Sequence, residues 1–114
     1  MSTAVLSLTE TTFDEEVKAS SLPMVVEFWA EWCPPCKLLS PILDSVAVDY
    51  ADRLRVFTIN SDQHPALSAR FEVMSIPTIL VFADGELRQR LVGARSRTRL
   101  IEELSQVIDW PSPA

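Results

Sequence analysis

The sequence predicts an α/β domain in which a mixed five-stranded sheet carries four helices on its two faces. Strand-like and helix-like segments alternate through residue 71, an Asp-Gly hairpin follows them, and an amphipathic helical segment comes last. The alternating part implies parallel strands joined by helical crossovers, and the hairpin adds antiparallel strands at one edge.

The amino-terminal elements are a short strand, a helix and a buried strand. Residues 4–8 alternate apolar and polar side chains, which is typical of a strand with one exposed face. Residues 11–20 form the predicted first helix, in which Thr12 and Glu15 fit a capping box at the start. The run MVVEFW at residues 24–29 is β-branched and aromatic, and this favours a strand covered on both faces.

The middle of the chain predicts two helices around a third strand. Pro35 suits the first turn of a helix, where its missing N–H is not needed, and apolar residues continue at helical spacing toward Tyr50. Pro41 lies inside this stretch and is expected to kink the helix. Residues 54–60 predict the third strand, and residues 64–71 predict a short helix with a proline near its start.

A hairpin and a final helix complete the predicted fold. The runs TILVFA at 78–83 and ELRQRLV at 86–92 flank an Asp-Gly pair, which suits a tight turn between antiparallel strands. Residues 96–108 carry apolar side chains at helical spacing and predict the fourth helix. The run PSPA at 111–114 is expected to fray.

Size and composition indicate one domain over residues 1–114, with its core at about 4–108. The chain is 47% hydrophobic and 23% charged, and 114 residues can bury a core without metal or disulfide support. No stretch has the length of a membrane helix, and the amino terminus lacks the basic start and long apolar run of a signal peptide. We therefore expect a cytoplasmic protein without a membrane partner.

The charge balance argues against nucleic acid as a partner. The formal net charge is −6, whereas a surface that binds nucleic acid must be basic to neutralise phosphates. Five arginines gather near the carboxyl terminus, and we interpret them as solvated charges, with partner selection as the alternative. They are Arg88, Arg90, Arg95, Arg97 and Arg99.

The two cysteines of the chain lie in WCPPCK, residues 32–37. If Cys33 precedes the helix and Cys36 lies in its first turn, their Cα atoms are about 5 to 6 Å apart, which a disulfide can span. The amino-terminal end of a helix stabilises an anion, so the Cys33 thiolate is favoured and Cys33 is the expected nucleophile. Cys36 is then the resolving thiol that attacks the mixed disulfide.

Other roles for the cysteines fit the sequence less well. A structural zinc site needs four ligands, and the chain adds only one histidine, His64, which we interpret as a surface residue. Inert cysteines are more typical of the middle of a strand or helix than of a proline-marked helix start. We therefore expect no metal site, and reversible dithiol chemistry is favoured.

Three segments together resemble the thioredoxin family: VEFWAEWCPPCKLLSPIL, SIPTILVFADGE and LVGA. They occur in the family's order and spacing, and the resemblance extends from about residue 5 to 108. It implies the thioredoxin fold and the reduction of protein disulfides by a monomer that binds no cofactor. The implied partners are disulfide-containing client proteins and a thioredoxin reductase, usually an NADPH-dependent flavoenzyme, which returns the Cys33–Cys36 disulfide to the dithiol.

The resemblance also implies roles for single residues. Cys33 matches the family's attacking cysteine, and Cys36 matches its resolving cysteine. Trp32 matches the tryptophan that shields the site, and Lys37 matches the lysine that follows the motif. Pro77 matches a proline with a cis peptide bond that lies beside the cysteines.

A groove for an extended client segment is implied by the same match. A cis bond before Pro77 turns the backbone of Ile76 outward, where a client strand can pair with it. Val92, Gly93 and Ala94 match the opposite wall of this groove.

Glu27 departs from the family pattern, which usually has an aspartate at this position. Glu27 lies in a strand covered on both faces, so burial should raise its pKa toward the value that a general base for Cys36 requires. Thr58 stands where the family commonly has a lysine, which would favour the ionised acid. We therefore expect Glu27 to transfer protons at Cys36, with a pKa above that in lysine-bearing relatives.

Pro34 is the second departure, because the family usually has Gly-Pro between the cysteines. Pro34 has no N–H to donate to the Cys33 thiolate, and as the residue before Pro35 it disfavours the helical region. We infer that Pro34, Pro35 and Lys37 tune the redox potential, in a direction that the sequence leaves open.

The sequence thus predicts a protein-disulfide reductase of the dithiol type. Two alternatives stay open: a thioredoxin-fold oxidant or isomerase, and a binding or scaffolding module that uses the same groove without turnover. The missing export signal argues against the oxidant or isomerase.

Overall fold

A computed structural model describes residues 4–108, which form five strands and four helices. Their order along the chain is β1 (Val5–Ser7), α1 (Glu10–Ala19), β2 (Met24–Trp29), α2 (Pro34–Asp49), β3 (Arg55–Asn60), α3 (Pro65–Arg70), β4 (Thr78–Ala83), β5 (Glu86–Val92) and α4 (Arg97–Leu104). This is the order that the sequence predicts. The PSPA segment lies outside the described residues.

The strands form one mixed sheet with the spatial order β1-β3-β2-β4-β5. β1, β3 and β2 are parallel, whereas β2 pairs with β4, and β4 with β5, in antiparallel fashion. The prediction of a parallel part with an antiparallel hairpin at one edge is therefore confirmed. β2 lies at the centre of the sheet, and its last residues lead directly into the cysteine motif.

The helices cover both faces of the sheet. Alternate residues of β2 point to opposite sides, so its apolar side chains need a covering layer on each face. On one face Val25 packs in a buried cluster with Leu43 of α2 and Leu100 of α4. On the other face Phe28 packs with Phe13 of α1 and with apolar residues around α3. Within residues 4–108, none of the helices has the length and apolar character needed to cross a membrane.

The first helix begins earlier than the sequence predicts, and its cap differs. Glu10 is the first helical residue and Thr9 is the N-cap. The Thr12 N–H donates to Thr9 Oγ1 at 3.3 Å, and the Thr9 N–H donates to Thr12 Oγ1 at 2.9 Å. Thr12 thus takes the place that Glu or Gln usually has in a capping box. The predicted capping box of Thr12 and Glu15 is therefore wrong, and the box consists of Thr9 and Thr12.

The fourth helix ends at Leu104 rather than at the predicted Ile108. Ser96 is its N-cap, as a start at residue 96 requires. At the other end Ser105 Oγ donates to the Ile101 carbonyl at 2.7 Å, and a side chain that bonds to the backbone in this way competes with the regular helical pattern. Ile108 nevertheless reaches the core and is 4% exposed.

Candidate active site

The cysteine motif lies where the central strand leads into the second helix. β2 ends at Trp29, a turn follows, and Cys33 is the N-cap residue of α2. Since β2 has neighbours on both sides, the motif lies at the middle of one end of the sheet and not at its margin.

Cys33 and Cys36 form a disulfide with a Cα–Cα distance of 5.3 Å. This spacing agrees with the distance expected from a cysteine before the helix and one in its first turn. The Cys36 N–H donates to Cys33 Sγ at 3.3 Å, so the sulfur of Cys33 takes the place of an N-cap acceptor. Both cysteine residues are almost completely buried in the disulfide state.

Pro34 and Pro35 are the first two residues of α2, where a backbone N–H has no partner inside the helix. Pro34 therefore has the helical conformation that its position before Pro35 was expected to disfavour. N-cap side chains accept from the second or third residue of a helix, and here the third residue, Cys36, is the donor. The amide missing at Pro34 is thus not the one that a sulfur at Cys33 normally uses.

Glu27 is a buried carboxyl group in the central strand. Glu27 is 3% exposed, and its Oε2 atom has no hydrogen-bond partner among the described residues. The pKa of Glu27 is raised to about 8, chiefly because burial disfavours the charged form and to a lesser extent because Asp44 is negatively charged. Thr58 is the β3 residue in register with Glu27, so the strand position beside this acid carries no cation.

Glu27 and Cys36 line one open cleft of about 560 Å³. Its walls come from β1, β2, β3 and α2, and its charged lining residues other than Glu27 are Glu31, Lys37 and Asp44. Glu27 and Cys36 are thus both next to the same solvent-connected space.

Trp32 stands beside the disulfide with 68% of its surface exposed. Its indole Nε1–H donates to Asp62 Oδ2 at 2.8 Å, which holds the ring in one orientation. Asn60 Oδ1 in turn accepts the backbone N–H groups of Asp62 and Gln63, at 3.0 and 3.2 Å. An exposed apolar side chain held in this way is suited to contact with another protein.

The loop before β4 packs against the cysteines through Ile76. The Ile76–Pro77 peptide bond is cis, and Ile76 packs against a buried cluster of Ala30, Cys33 and Cys36. The Gly93 N–H donates to the Pro77 carbonyl at 2.8 Å, so the segment after β5 is joined to this loop. Pro77 and Gly93, which the family resemblance assigns to the two sides of the groove, are therefore in contact.

Three residues near the site were not found from the sequence. Asp44 follows Cys36 at helical spacing, eight residues on, and this spacing could have placed it on the same face of α2. Asp62 had no such signal, because only the folded loop brings it to Trp32. Met74 is 92% exposed just before the Ile76–Pro77 loop, and neither its type nor its spacing distinguished it from a core residue.

His64 is the N-cap residue of α3. Its Nδ1 is 3.2 Å from Glu10 Oε1, in a pair that links the starts of α3 and α1. No cluster of three or more His, Cys, Asp or Glu side chains suited to a metal ion occurs within residues 4–108.

Comparisons with known proteins agree with this geometry. The family model for thioredoxin matches residues 4–106. Thioredoxin of Acidithiobacillus ferridurans is 45% identical over 88% of this chain and 93% of its own length. Thioredoxin 1 of Synechococcus elongatus is 39% identical over 88% and 94%, and thioredoxin of Mycobacterium tuberculosis is 39% identical over 92% and 90%. The chain belongs to the thioredoxin family, and the Cys33–Cys36 disulfide is the redox-active centre of a thiol-disulfide oxidoreductase.

Proposed function

We propose that this oxidoreductase works mainly as a reductant of protein disulfides, with Cys33 as the attacking thiolate. The hydrogen bond from the Cys36 N–H to Cys33 Sγ carries this assignment, because it places Cys33, and not Cys36, at the amino-terminal end of α2. The thiolate attacks one sulfur of the client disulfide. A Cys33–client disulfide forms, and the client's other sulfur leaves as a thiolate and takes a proton from water.

Cys36 completes the reaction by resolving the mixed disulfide. The Cys36 thiol loses its proton, and its sulfur attacks Cys33 Sγ. The bond between Cys33 and the client then breaks, and the second client thiolate leaves. The client has gained two electrons, and the cysteine pair has lost two.

Glu27 is the proposed acceptor of the proton from Cys36. Both groups line one cleft, which supports a direct or water-mediated transfer. A pKa of about 8 for Glu27 in the disulfide form means that the carboxyl group holds a proton near neutral pH once the cysteines are oxidised. When the disulfide is reduced again, protonated Glu27 donates a proton to the Cys36 sulfur and becomes ionised.

Clients are proposed to bind in the groove between Trp32 and the Ile76–Pro77 loop, with Val92, Gly93 and Ala94 as the far wall. Support comes from three exposed apolar side chains in these segments, at 68%, 92% and 54% exposure: Trp32, Met74 and Val92. Pro34, Pro35 and Lys37 are proposed to tune the redox potential through the start of α2.

The electrons are proposed to come from a thioredoxin reductase, with an NADPH-dependent flavoenzyme as the expected class, in the cytoplasm. An insulin-reduction assay tests the reductant role and the electron source together. We expect turnover with such a reductase and NADPH, and none when both cysteines are replaced by serine. Turnover that needs oxidised glutathione and a reduced client would instead identify an oxidant, and client binding without turnover would identify a scaffold.

A further inference from the structure

Arg95 is a buried cation next to the proposed client groove. It lies between β5 and α4, and its side chain is only 4% exposed. The sequence interpretation of the five arginines as solvated charges is therefore wrong for Arg95. A guanidinium group is buried in a protein only when its donors are paired, so its partners explain its position.

One side of the Arg95 guanidinium binds the last helix. Arg95 Nη1 donates to Glu103 Oε1 at 2.7 Å and to Glu103 Oε2 at 2.6 Å. Glu103 lies in α4, and its side chain is 20% exposed. A charge-assisted pair with this little solvent contact is a firm attachment to the helix.

The other side of the guanidinium binds the proposed groove wall. Arg95 Nη2 donates to the Val92 carbonyl at 2.6 Å, and both Nη2 and Nε lie 3.2 Å from the Gly93 carbonyl. The Gly93 N–H in turn donates to the Pro77 carbonyl. A continuous series of bonds thus runs from α4 through Arg95 and Gly93 to the loop beside the disulfide.

We propose that Arg95 is a positioning residue that fixes the Val92–Gly93 wall of the client groove and so determines the affinity for protein clients. The inference rests on the proposed function, because it concerns the groove assigned there. The planar fork of arginine can bind a carboxylate and two carbonyls at once, which a lysine ammonium group on a single stem cannot reproduce. The hydrogen bonds and the ion pair of Arg95 within residues 4–108 go to Val92, Gly93 and Glu103 and not to either cysteine. Its effect should therefore be on docking and not on thiol reactivity.

The test compares Arg95→Lys with the native protein on two substrates, insulin and the small aromatic disulfide dithiobis-nitrobenzoate. We expect the KM for insulin to rise about threefold to tenfold, the range that corresponds to one net hydrogen bond, with kcat nearly unchanged. Reduction of the small disulfide, which needs no groove, should stay at the native rate. The amide resonances of Gly93 and Ala94 should shift, because the carbonyls in their peptide groups, those of Val92 and Gly93, lose guanidinium donors.

Arg97→Lys is the matched control. Arg97 is a neighbouring arginine that also makes a short ion pair, 2.7 Å from Asp49 Oδ2, but it joins α4 to α2 away from the groove. It should leave the KM for insulin unchanged. Equal KM values for native protein and Arg95→Lys would overturn the proposal, and so would an equal rise in both variants.

Two further variants allow for poor folding of Arg95→Lys and for an error in the groove assignment. Arg95→Met combined with Glu103→Met removes both charges, so that no buried carboxylate stays unpaired if Arg95→Lys folds poorly. The double variant should show the same rise in KM. Val92→Asp tests the groove itself. If Val92→Asp leaves the KM for insulin unchanged, the groove assignment fails. If Val92→Asp raises this KM but the Arg95 variants do not, only the role of Arg95 is contradicted.

Discussion

Glu27 illustrates how a single buried residue can make the stability of the fold depend on pH. A carboxyl group in the central strand loses its hydration, and this raises the pKa of Glu27 from an ordinary 4.5 to about 8. The folded protein therefore binds a proton that the unfolded chain releases between these pH values. A group of this kind stabilises the fold at low pH, and its contribution is lost as pH rises through its folded pKa.

The pH dependence of stability provides a direct check on Glu27. The free energy of unfolding of the oxidised protein should fall as pH rises from about 4.5 to about 8 and then level off, because ionised Glu27 must lie in the core. In Glu27→Gln the side chain stays neutral, so this part of the fall should vanish. Urea unfolding of both proteins across this range measures the difference, and parallel curves would contradict the account.

Asp44, which lines the same cleft, should contribute to the raised pKa of Glu27. Asp44→Asn removes the negative charge that raises the Glu27 pKa, so this pKa should fall, although burial will still hold it above the ordinary value. Carboxyl-carbon NMR of Glu27 in the oxidised protein measures the shift. Ser40→Ala is the control, because Ser40 lines the same cleft without a charge and should leave the titration unchanged.

At the scale of elements, the start of α2 and the end of β5 create the site in different ways. α2 supplies a backbone amide to the sulfur of Cys33, so the helix start itself favours negative charge there. β5 ends in a segment whose shape depends on backbone conformation: Gly93 has φ 95°, a value that other residues rarely adopt. This conformation directs the Gly93 N–H to Pro77 and its carbonyl to Arg95.

Replacing Gly93 separates the effect on stability from the effect on client binding. Gly93→Ala should lower the free energy of unfolding by about 1 to 2 kcal/mol, since the space around Gly93 is open and only the backbone is strained. Gly85→Ala, at φ 78° in the β4–β5 hairpin, should cost a similar amount. Only Gly93→Ala should raise the KM for insulin. A similar rise in both variants would show that general destabilisation is the cause.

For the whole molecule, the fold and the redox centre could be predicted because local patterns carry them. The buried run of β2, the Asp-Gly turn and the two cysteines each have a short-range explanation, and all agree with the observed sheet. The cap at Thr9 was missed because Thr12 takes the part usually played by Glu or Gln. Arg95 was missed for a different reason: burial of a charge depends on a distant partner, here Glu103.

Long-range contacts therefore account for what the sequence did not reveal around the site. Asp62 reaches Trp32 across thirty positions of the chain, and no local pattern encodes such a contact. Asp62, Arg95 and Glu103 hold other groups in place around the disulfide and do not themselves react. The proposed chemistry uses two cysteines and Glu27, whereas the arrangement of these groups depends on the whole fold.

The central claim is that Cys33 attacks and Cys36 resolves, and trapping the mixed disulfide tests it most directly. Reduced Cys36→Ser and Cys33→Ser are each mixed with a disulfide-containing client, and the adducts are identified by mass spectrometry. The account predicts that Cys36→Ser accumulates a stable adduct through Cys33, whereas Cys33→Ser forms little or none. Equal adduct yields at the two cysteines, or a faster reaction at Cys36, would contradict it.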